Sequence, residues 1–525
     1  MGKRSNKQHK QDLAHNDRVE RVCSELLDRC SQPLPEPVEQ LWSYFNEVYE
    51  SVQELKTLQA ESNLLKFVAE SRLQSIEKFT EWAIRRNIFS GKSQFGICEF
   101  ENFGCGLIAK CRFDTGDVIC RVPREAILTT ELANKNHLES GVALDPLLHG
   151  MPNVLLAVIV LCERSKGSDS RWHEYFEVMP RQFSTTMYYD KSDFEILRGS
   201  MAFQNAIKMF ISITRQYCYL FQLVATRSRG FEKVPLSQLD FTFDAYRWAV
   251  SLVMTRINFL PPLQTATSDS DRTSVPALIP VLDMANHCEG LMCTDYDDTN
   301  EESLCYAMTE YKDGDQIFIN YGARSNAEFL IHNGFVYENN RQRPTVVWIT
   351  AGLSKSDILL KKRKDALTTG GLDKINKLPL RSCNEQFENS NSSLFYFALI
   401  FNATEPELDA FLKMDSLKRK PSAIERCNAE YDSVSMNVLN QMSKCCSAES
   451  KKKAWNFLAT RLQLVLRQYK HGDIAENEQF LTELNQTDQP IKTTLVKFVM
   501  DEQRVLNYGI EWCMRKATEI GQSGL

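Results

Sequence analysis

Apolar residues recur at helical spacing in three parts of the chain. The N-terminal part holds two such stretches, residues 22–55 and 64–85, with a proline-rich break at residues 33–37. The other helical patterns lie at residues 154–164, 203–226, 243–255, 394–402, 405–414, 455–469 and 493–518. These patterns predict helical regions near both ends of the chain and in its middle.

Short strand-like runs occupy two separated regions. The first set lies at residues 95–100, 107–111 and 118–122, and the second at residues 275–282, 304–308 and 316–320. Turn-forming residues such as Gly104 and Gly314 separate neighbouring runs. The patterns therefore predict an α+β protein in which a long helical insertion divides a β-rich core.

The same patterns predict the domain organisation. The expected parts are a disordered basic tail at 1–20, an N-terminal helical region at 21–92, a split core at 93–130 and 256–338, a helical insertion at 131–255, and an all-helical C-terminal domain at 345–525. Exposed loops are expected at residues 268–271 and 370–371.

Composition narrows the classes of partner. The chain has 525 residues, a net charge of −6 and 43% hydrophobic residues, as expected for a globular protein without a global basic field for nucleic acid. No apolar signal segment follows Met1, and the apolar run at residues 154–162 is too short to span a bilayer. We therefore expect a cytoplasmic protein that binds neither nucleic acid nor membrane. A monomer is also expected, although the sequence does not reveal the oligomeric state. The basic N-terminal cluster leaves a nuclear presence open.

Cysteine usage predicts no metal centre. Without a secretory signal, the 16 cysteines are expected to be reduced thiols. No Cys-x-x-Cys pair occurs in the sequence, so a structural zinc site is not expected.

The candidate chemistry lies in two motifs. Residues 279–287 end in Asn286-His287, and residues 317–322 end in Tyr321-Gly322. Alone, a histidine of this kind is usually a core residue, and a Tyr-Gly pair is usually the exit from a strand. In order, spacing and strand context, however, the two motifs resemble the crossing motifs of SET-domain protein methyltransferases.

The resemblance extends beyond the motifs. The divided core, the insertion and the helical C-terminal domain are similar to the SET methyltransferases that resemble the plant Rubisco lysine methyltransferase. Within that group, residues 241–256 and 321–329 resemble those of the actin-histidine N-methyltransferases. The similarity runs from about Arg72 to about Tyr337 and is looser beyond. It implies S-adenosyl-L-methionine as the methyl donor that is consumed, and actin as the protein substrate.

The resemblance also implies which residues contact the methyl donor. An arginine guanidinium suits the carboxylate of the donor, and a glycine lets the backbone approach a ligand closely. The implied residues are Arg72, Phe103, Gly104, Cys105, Arg256, Asp283, Met284, Ala285, Asn286, His287, Asn333, Gly334 and Phe335. Each has an ordinary structural alternative, namely a salt link, a turn or a core position. We expect the backbone of His287, rather than its imidazole, to matter.

Asn258 and Tyr321 are the implied residues around the acceptor. A histidine side chain has a reference pKa of about 6.5, so its ring is mostly neutral and needs one tautomer to be selected. The Asn258 amide can bind one ring nitrogen, and Tyr321 is expected to line the methyl-transfer channel. Without the resemblance, Asn258 would equally suit a turn before Pro261.

Three functions remain open on the sequence. Asn258 favours a histidine methyltransferase. Leu282 stands at a substrate-contacting position where the histidine enzymes have tryptophan, which favours a lysine methyltransferase of the same fold. Phe103 and Cys105 flank Gly104 where the family has Glu and Phe, which favours a binding module without activity. The modified residue of the substrate is not predicted.

Overall fold

The computed structural model divides the chain into two compact units. The first contains Met1–Tyr188, Ala206–Arg324 and Ile331–Gly334, and the second contains Tyr189–Asn205, Ser325–Leu330 and Phe335–Leu525. The residues described are 2–60, 72–89, 94–136, 138, 141, 145–263, 274–372, 376–381, 387–414, 434–484 and 489–522. The loop predicted at residues 268–271 lies outside them.

The described helices of the first unit are Gly2–Cys30, Val38–Leu58, Arg72–Arg85, Pro146–Gly150, Pro152–Ser165, His173–Val178, Phe203–Thr226 and Phe243–Arg256. Pro152–Ser165, Phe203–Thr226 and Phe243–Arg256 begin and end close to the predicted limits, whereas Pro146–Gly150 and His173–Val178 were not predicted. Helix Phe243–Arg256 is capped by the Thr242 hydroxyl, which accepts a hydrogen bond from Ala245 N–H at 3.2 Å. This cap anchors the start of the helix whose last residue is Arg256.

The N-terminal segment differs from its prediction. Where the sequence predicts a disordered tail at residues 1–20, the chain forms the first part of helix Gly2–Cys30. The helix packs against Val38–Leu58 and buries Val19, Val22 and Leu26. Residues 3–18 contain neither proline nor glycine, so nothing in the sequence stops the helix from extending outward from this packed half.

Three sheets form the β-rich part of the first unit. The strands are β1 (Phe95–Phe100), β2 (Gly104–Ala109), β3 (Val118–Pro123), β4 (Leu128–Thr129), β5 (Asn258–Leu260), β6 (Val275–Leu278), β7 (Asn286–His287), β8 (Thr294–Asp297), β9 (Glu302–Tyr306) and β10 (Gln316–Ile319). The sheets have the orders β1-β2-β10-β7, β3-β9-β8 and β4-β6-β5. Strands from before and after the insertion therefore share each sheet, as the split core requires.

One strand pair positions the two motifs. Strand β7 runs parallel to β10, with Asn286 opposite Phe318 and His287 opposite Ile319. Strand β6 ends earlier than predicted, because Val281 adopts a φ of 74° and ψ of −55°, a conformation that β-branched residues rarely take. The 3-10 turn Leu282–Met284 then leads into β7.

The second unit is mostly helical. Its helices are Lys191–Ile196, Asn326–Glu328, Leu360–Thr369, Phe387–Ser390, Ser392–Asn402, Glu405–Leu412, Met436–Cys445, Ala448–Leu466, Ile474–Leu484 and Pro490–Gln522. Phe395 stacks on Trp512 with ring centroids 4.6 Å apart, at the centre of an aromatic core. An antiparallel pair of strands, β11 (Val346–Thr350) and β12 (Lys377–Arg381), adds a small sheet that the sequence pattern does not predict.

Part of the predicted insertion belongs to this second unit. Residues 189–205 are in it, and backbone hydrogen bonds join them to its helices. The Met201 N–H donates to both oxygens of buried Glu502, each at 3.2 Å, and the Tyr469 hydroxyl donates to Glu502 at 2.7 Å. None of the described helices is long and apolar enough to cross a membrane.

Candidate active site

Tyr321 is held against the Asn-His segment by three contacts. Its hydroxyl donates to the Ala285 carbonyl at 2.8 Å, and its backbone N–H donates to His287 Nδ1 at 3.2 Å. The Tyr321 and His287 rings are 5.2 Å apart. Burial raises the pKa of Tyr321 to about 12, while the charge of Arg256 opposes the rise. At neutral pH the phenol is therefore a neutral hydrogen-bond donor with a defined orientation.

The imidazole of His287 has a structural task. Burial lowers the pKa of His287, so the ring is neutral at pH 7. Because Nδ1 accepts the Tyr321 N–H, the proton lies on Nε2. The expectation that only the His287 backbone matters is therefore incomplete. The backbone pairs with β10, and the ring fixes the backbone of Tyr321.

A buried polar network adjoins Tyr321. The Tyr175 hydroxyl, from the insertion, donates a short hydrogen bond to Asp283 Oδ2. Burial raises the pKa of Asp283 to about 7, and the Arg256 charge and the Tyr175 hydrogen bond oppose this rise. Among the described residues, Asp283 Oδ1 and Arg256 Nε are buried without a hydrogen-bond partner. Unpaired buried polar atoms are costly, so these two atoms indicate a place for a polar ligand.

Arg256 connects this network to Tyr321. It is the last residue of helix Phe243–Arg256, and its Nη1 donates to Thr255 Oγ1 at 3.0 Å. Its guanidinium carbon lies 5.9 Å from the Phe183 ring centroid. Burial raises the pKa of both Asp283 and Tyr321, and the charge of Arg256 opposes this rise in each case. The structure thus brings the predicted residues Arg256, Asp283 and Tyr321 into one site.

Asn258 lies next to this cluster. It is the first residue of β5, opposite Ala277 of β6, and its Nδ2 donates to the Arg256 carbonyl at 3.0 Å. The bond joins residues only two positions apart, as expected if Asn258 stabilises a turn. It also holds the half-buried amide against Arg256, whose charge acts on Tyr321.

The predicted glycine loop contacts the Asn-His segment. Asn286 Nδ2 donates to the Cys105 carbonyl at 3.1 Å, and Gly104 has a φ of 70°. A Cβ atom on Gly106 would lie 2.9 Å from Asn286 Nδ2, so a larger residue there would displace the Asn286 amide. The half-exposed Phe103 ring meets Phe318 edge-on, with centroids 5.8 Å apart.

The remaining predicted residues lie in different settings. Asn333 Oδ1 accepts a hydrogen bond from Arg324 at 2.8 Å. Gly334 has a φ of 81°, and a Cβ there would lie 2.7 Å from the Ser184 carbonyl carbon. Phe335 belongs to the second unit, where its ring stacks on Phe329.

Two further predicted residues contribute buried apolar side chains, and a third begins a helix. Leu282 and Met284 are buried, with 0% and 3% of their surface exposed. Arg72 begins helix Arg72–Arg85, and its side chain lies outside the described residues. In the described part of the chain, no cluster of three or more His, Cys, Asp or Glu side chains could hold a metal ion.

The comparisons with known proteins concern the same regions. A family model described as SET domain matches residues 104–322, and one described as Rubisco LSMT substrate-binding matches residues 354–506. The actin-histidine N-methyltransferase of Gallus gallus is 30% identical over 93% of this chain and 76% of its own length. That of Danio rerio is 31% identical with the same coverage.

Solved structures share the fold. The SET domain of LSMT bound to lysine and AdoHcy has a TM-score of 0.60 at 18% identity, covering 85% of this chain and 93% of that one. Rubisco LSMT bound to AdoMet has a TM-score of 0.57 at 19% identity, with the same coverage.

Proposed function

Because the chain belongs to the family of SET-domain protein methyltransferases that includes the actin-histidine N-methyltransferases, we propose that it methylates a histidine side chain of actin. S-adenosyl-L-methionine is the methyl donor in this proposal. The observation that carries it is the fixed, neutral Tyr321 beside Arg256 and Asp283, with Asn258 bound to the Arg256 carbonyl.

The described residues fit the methyl donor. The backbone of β7 and the loop at Gly104 would hold it, because glycine permits close approach and the Asn286 amide is already ordered there. Arg256 would bind the carboxylate of the donor, and Asp283 Oδ1 supplies a second buried polar atom without a partner in the described residues. When bound, the donor supplies a sulfonium methyl group for in-line displacement.

The protonation states favour histidine as acceptor. A lysine has a reference pKa of about 10.4, so making it neutral at pH 7 costs roughly 4–5 kcal/mol, whereas a histidine near 6.5 is already mostly neutral. Tyr321 keeps its proton at neutral pH, since burial raises its pKa to about 12. Tyr321 therefore orients the acceptor and excludes water rather than removing a proton.

The Asn258 amide selects the tautomer in this proposal. A side-chain amide both donates and accepts, so it can bind one imidazole nitrogen and leave the lone pair of the other nitrogen toward the methyl group. The bond from Asn258 Nδ2 to the Arg256 carbonyl orients the amide before the substrate arrives. Asn258→Ala should therefore lower turnover more than it lowers binding of the methyl donor.

The lysine alternative rests on Leu282 and is separable by experiment. Two peptides with the same actin sequence, differing only in histidine or lysine at the target position, would be incubated with the protein and the methyl donor. Mass spectrometry should find one added methyl group on the histidine peptide and none on the lysine peptide. Exclusive methylation of the lysine peptide would replace the proposal with the lysine alternative.

A cytoplasmic location and a monomeric state complete the proposal. Actin as substrate supports the location, and the net charge of −6 gives no reason for nucleic-acid binding. Subcellular fractionation tests the location, and light scattering on the purified protein tests the monomer. A stable dimer at low protein concentration would remove the second part.

A further inference from the structure

Two indole groups hold the start of helix His173–Val178 in place. The Trp172 indole N–H donates to the Ala126 carbonyl at 2.8 Å. The Trp82 indole N–H, from the helix that precedes β1, donates to the Arg171 carbonyl at 2.7 Å. One bond joins the short helix to the split core, and the other joins it to the N-terminal helical region. Contacts on two sides therefore fix the position of this helix.

Tyr175 is a fully buried residue of this helix. Its ring centroid lies 5.9 Å from that of Phe79, which stacks on Trp82 with centroids 5.4 Å apart. Its hydroxyl donates a hydrogen bond to Asp283 Oδ2, across 108 positions of the sequence. Phenylalanine would make the same ring contacts. The bond to Asp283 is therefore the described contact of Tyr175 that requires the hydroxyl oxygen.

Asp283 lies on a strained turn that leads to the Tyr321 contact. Val281 has a φ of 74° and a ψ of −55°, and such a conformation persists only where the surrounding contacts hold it. The Asp283 N–H donates to the Ile279 carbonyl at 3.0 Å, across the strained residue. Two residues further on, the Ala285 carbonyl accepts the Tyr321 hydroxyl at 2.8 Å. The hydroxyl from the insertion therefore adds a side-chain contact to a turn that the site depends on.

The two oxygens of the Asp283 carboxylate differ in their surroundings. Oδ2 accepts the Tyr175 hydroxyl, whereas Oδ1 is buried and has no hydrogen-bond partner among the described residues. A buried acceptor without a partner is costly, because the water that it loses is not replaced. Oδ1 is therefore suited to accept a hydrogen bond from a bound molecule, while Oδ2 is already satisfied.

We propose that Tyr175 is a positioning residue for the methyl donor, acting through Asp283. Rotation about the last bond of an aspartate side chain is only weakly restricted, so a carboxylate needs an external contact to keep one orientation. The Tyr175 hydroxyl supplies that contact at Oδ2 and leaves Oδ1 to accept a hydrogen bond from an N–H or O–H group of S-adenosyl-L-methionine. The inference rests on the proposed function and gives the insertion a part in the donor site.

The test measures binding of S-adenosyl-L-methionine to the full chain by calorimetry, in the absence of actin. Tyr175→Phe should weaken binding by about tenfold or more, because a hydrogen bond to a charged acceptor is lost and the carboxylate is free to turn. Asp283→Asn should also weaken binding. Its amide oxygen can still accept the Tyr175 hydroxyl, and an N–H group then replaces the acceptor Oδ1.

Two further variants separate positioning from a loss of stability. Tyr217→Phe removes another buried hydroxyl, which accepts a hydrogen bond from Gln59 at 2.7 Å and donates to the Phe241 carbonyl at 3.1 Å. This control should lower the midpoint of thermal unfolding and leave donor binding unchanged. In an Asp283→Ala background, Tyr175→Phe should cause no further loss of binding beyond about twofold, because its hydroxyl acts through the carboxylate. Thermal unfolding of each variant shows that it is folded.

The inference is overturned if folded Tyr175→Phe or Asp283→Asn binds the donor within about twofold of the unmodified protein. It is also overturned if Tyr175→Phe weakens binding equally in the Asp283→Ala background, or if Tyr217→Phe weakens it as much. Should Asp283→Ala fail to fold, the two shape-preserving variants still decide the question.

Methyl transfer to actin is measured separately on the same samples. Unmodified protein that shows the expected binding pattern and methylates no histidine of actin would contradict the proposed function and leave the role of Tyr175 in place. Methylation of the histidine without the expected binding pattern would do the reverse.

Discussion

Replacing Tyr321 with phenylalanine removes one oxygen atom and leaves the other contacts of the residue in place. The ring still meets His287 at 5.2 Å, and the backbone N–H still donates to His287 Nδ1. What is lost is the hydrogen bond from the hydroxyl to the Ala285 carbonyl, 2.8 Å long and inside the protein. The variant therefore tests the hydroxyl alone.

The size of the effect follows from this hydrogen bond. Leaving a buried acceptor unpaired costs about 1–3 kcal/mol, which for a unit of this size lowers the midpoint of thermal unfolding by a few degrees. If the same hydroxyl orients the reacting groups, kcat/KM should fall by about 10- to 100-fold, equivalent to about 1.4–2.7 kcal/mol of transition-state stabilisation. The fall should lie mainly in kcat.

The assay is methyl transfer to actin, run with thermal unfolding on the same samples. Tyr246→Phe is the matched control, because it removes another buried hydroxyl, which donates to Gln216 at 3.2 Å on the insertion helices. The control should lose stability and keep its turnover. A folded Tyr321→Phe protein that turns over within about twofold of the unmodified protein would remove the role assigned to the phenol.

Three further predictions concern single residues. Arg256→Ala should weaken binding of the methyl donor by about tenfold or more in calorimetry, because a charge-assisted contact is lost. Arg121 is exposed, and Arg121→Ala should leave this binding unchanged. Equal binding by the two variants would exclude Arg256 from the donor site. Burial raises the pKa of Glu502 from 4.5 to about 8, so between these pH values the folded state holds a proton that the unfolded state has lost, and stability should decline as pH rises through this range and level off above it. The decline in the free energy of unfolding amounts to up to about 5 kcal/mol, and Glu502→Gln should flatten it when denaturant unfolding is measured at several pH values. An unchanged dependence of stability on pH would show that Glu502 is not the group responsible. Gly334→Ala, at φ 81° and with its new Cβ 2.7 Å from the Ser184 carbonyl carbon, should lower thermal stability by about 2 kcal/mol or more, and an unchanged unfolding midpoint would show that the backbone relaxes.

Long periodic segments were predictable from the sequence. Helices Phe203–Thr226 and Phe243–Arg256 match the apolar pattern within a residue, because each buries an extended face. The strand β7 and its parallel pairing with β10 were not predicted from the pattern; the resemblance to crossing motifs indicated only that the two segments meet. The five-residue strands β11 and β12 were not predicted, because runs of that length carry little periodicity within a helical region.

The composition of the site was only partly predictable. Asp283, Arg256 and Tyr321 were identified through the resemblance, and the structure brings them together. Tyr175 was missed. It lies 108 residues before Asp283, in an aromatic-rich part of the insertion, and no local pattern indicates that its hydroxyl meets that carboxylate. The left-handed conformation of Val281 was equally hidden, since a β-branched residue is among the last expected there.

Site mapping on actin tests the central claim most directly. Purified actin would be incubated with the protein and isotopically labelled S-adenosyl-L-methionine, then digested and sequenced by mass spectrometry. The account predicts a single labelled methyl group on one histidine of actin, absent when Asn258→Ala protein is used. Label found only on lysine, or no label from protein that binds the methyl donor, would contradict it.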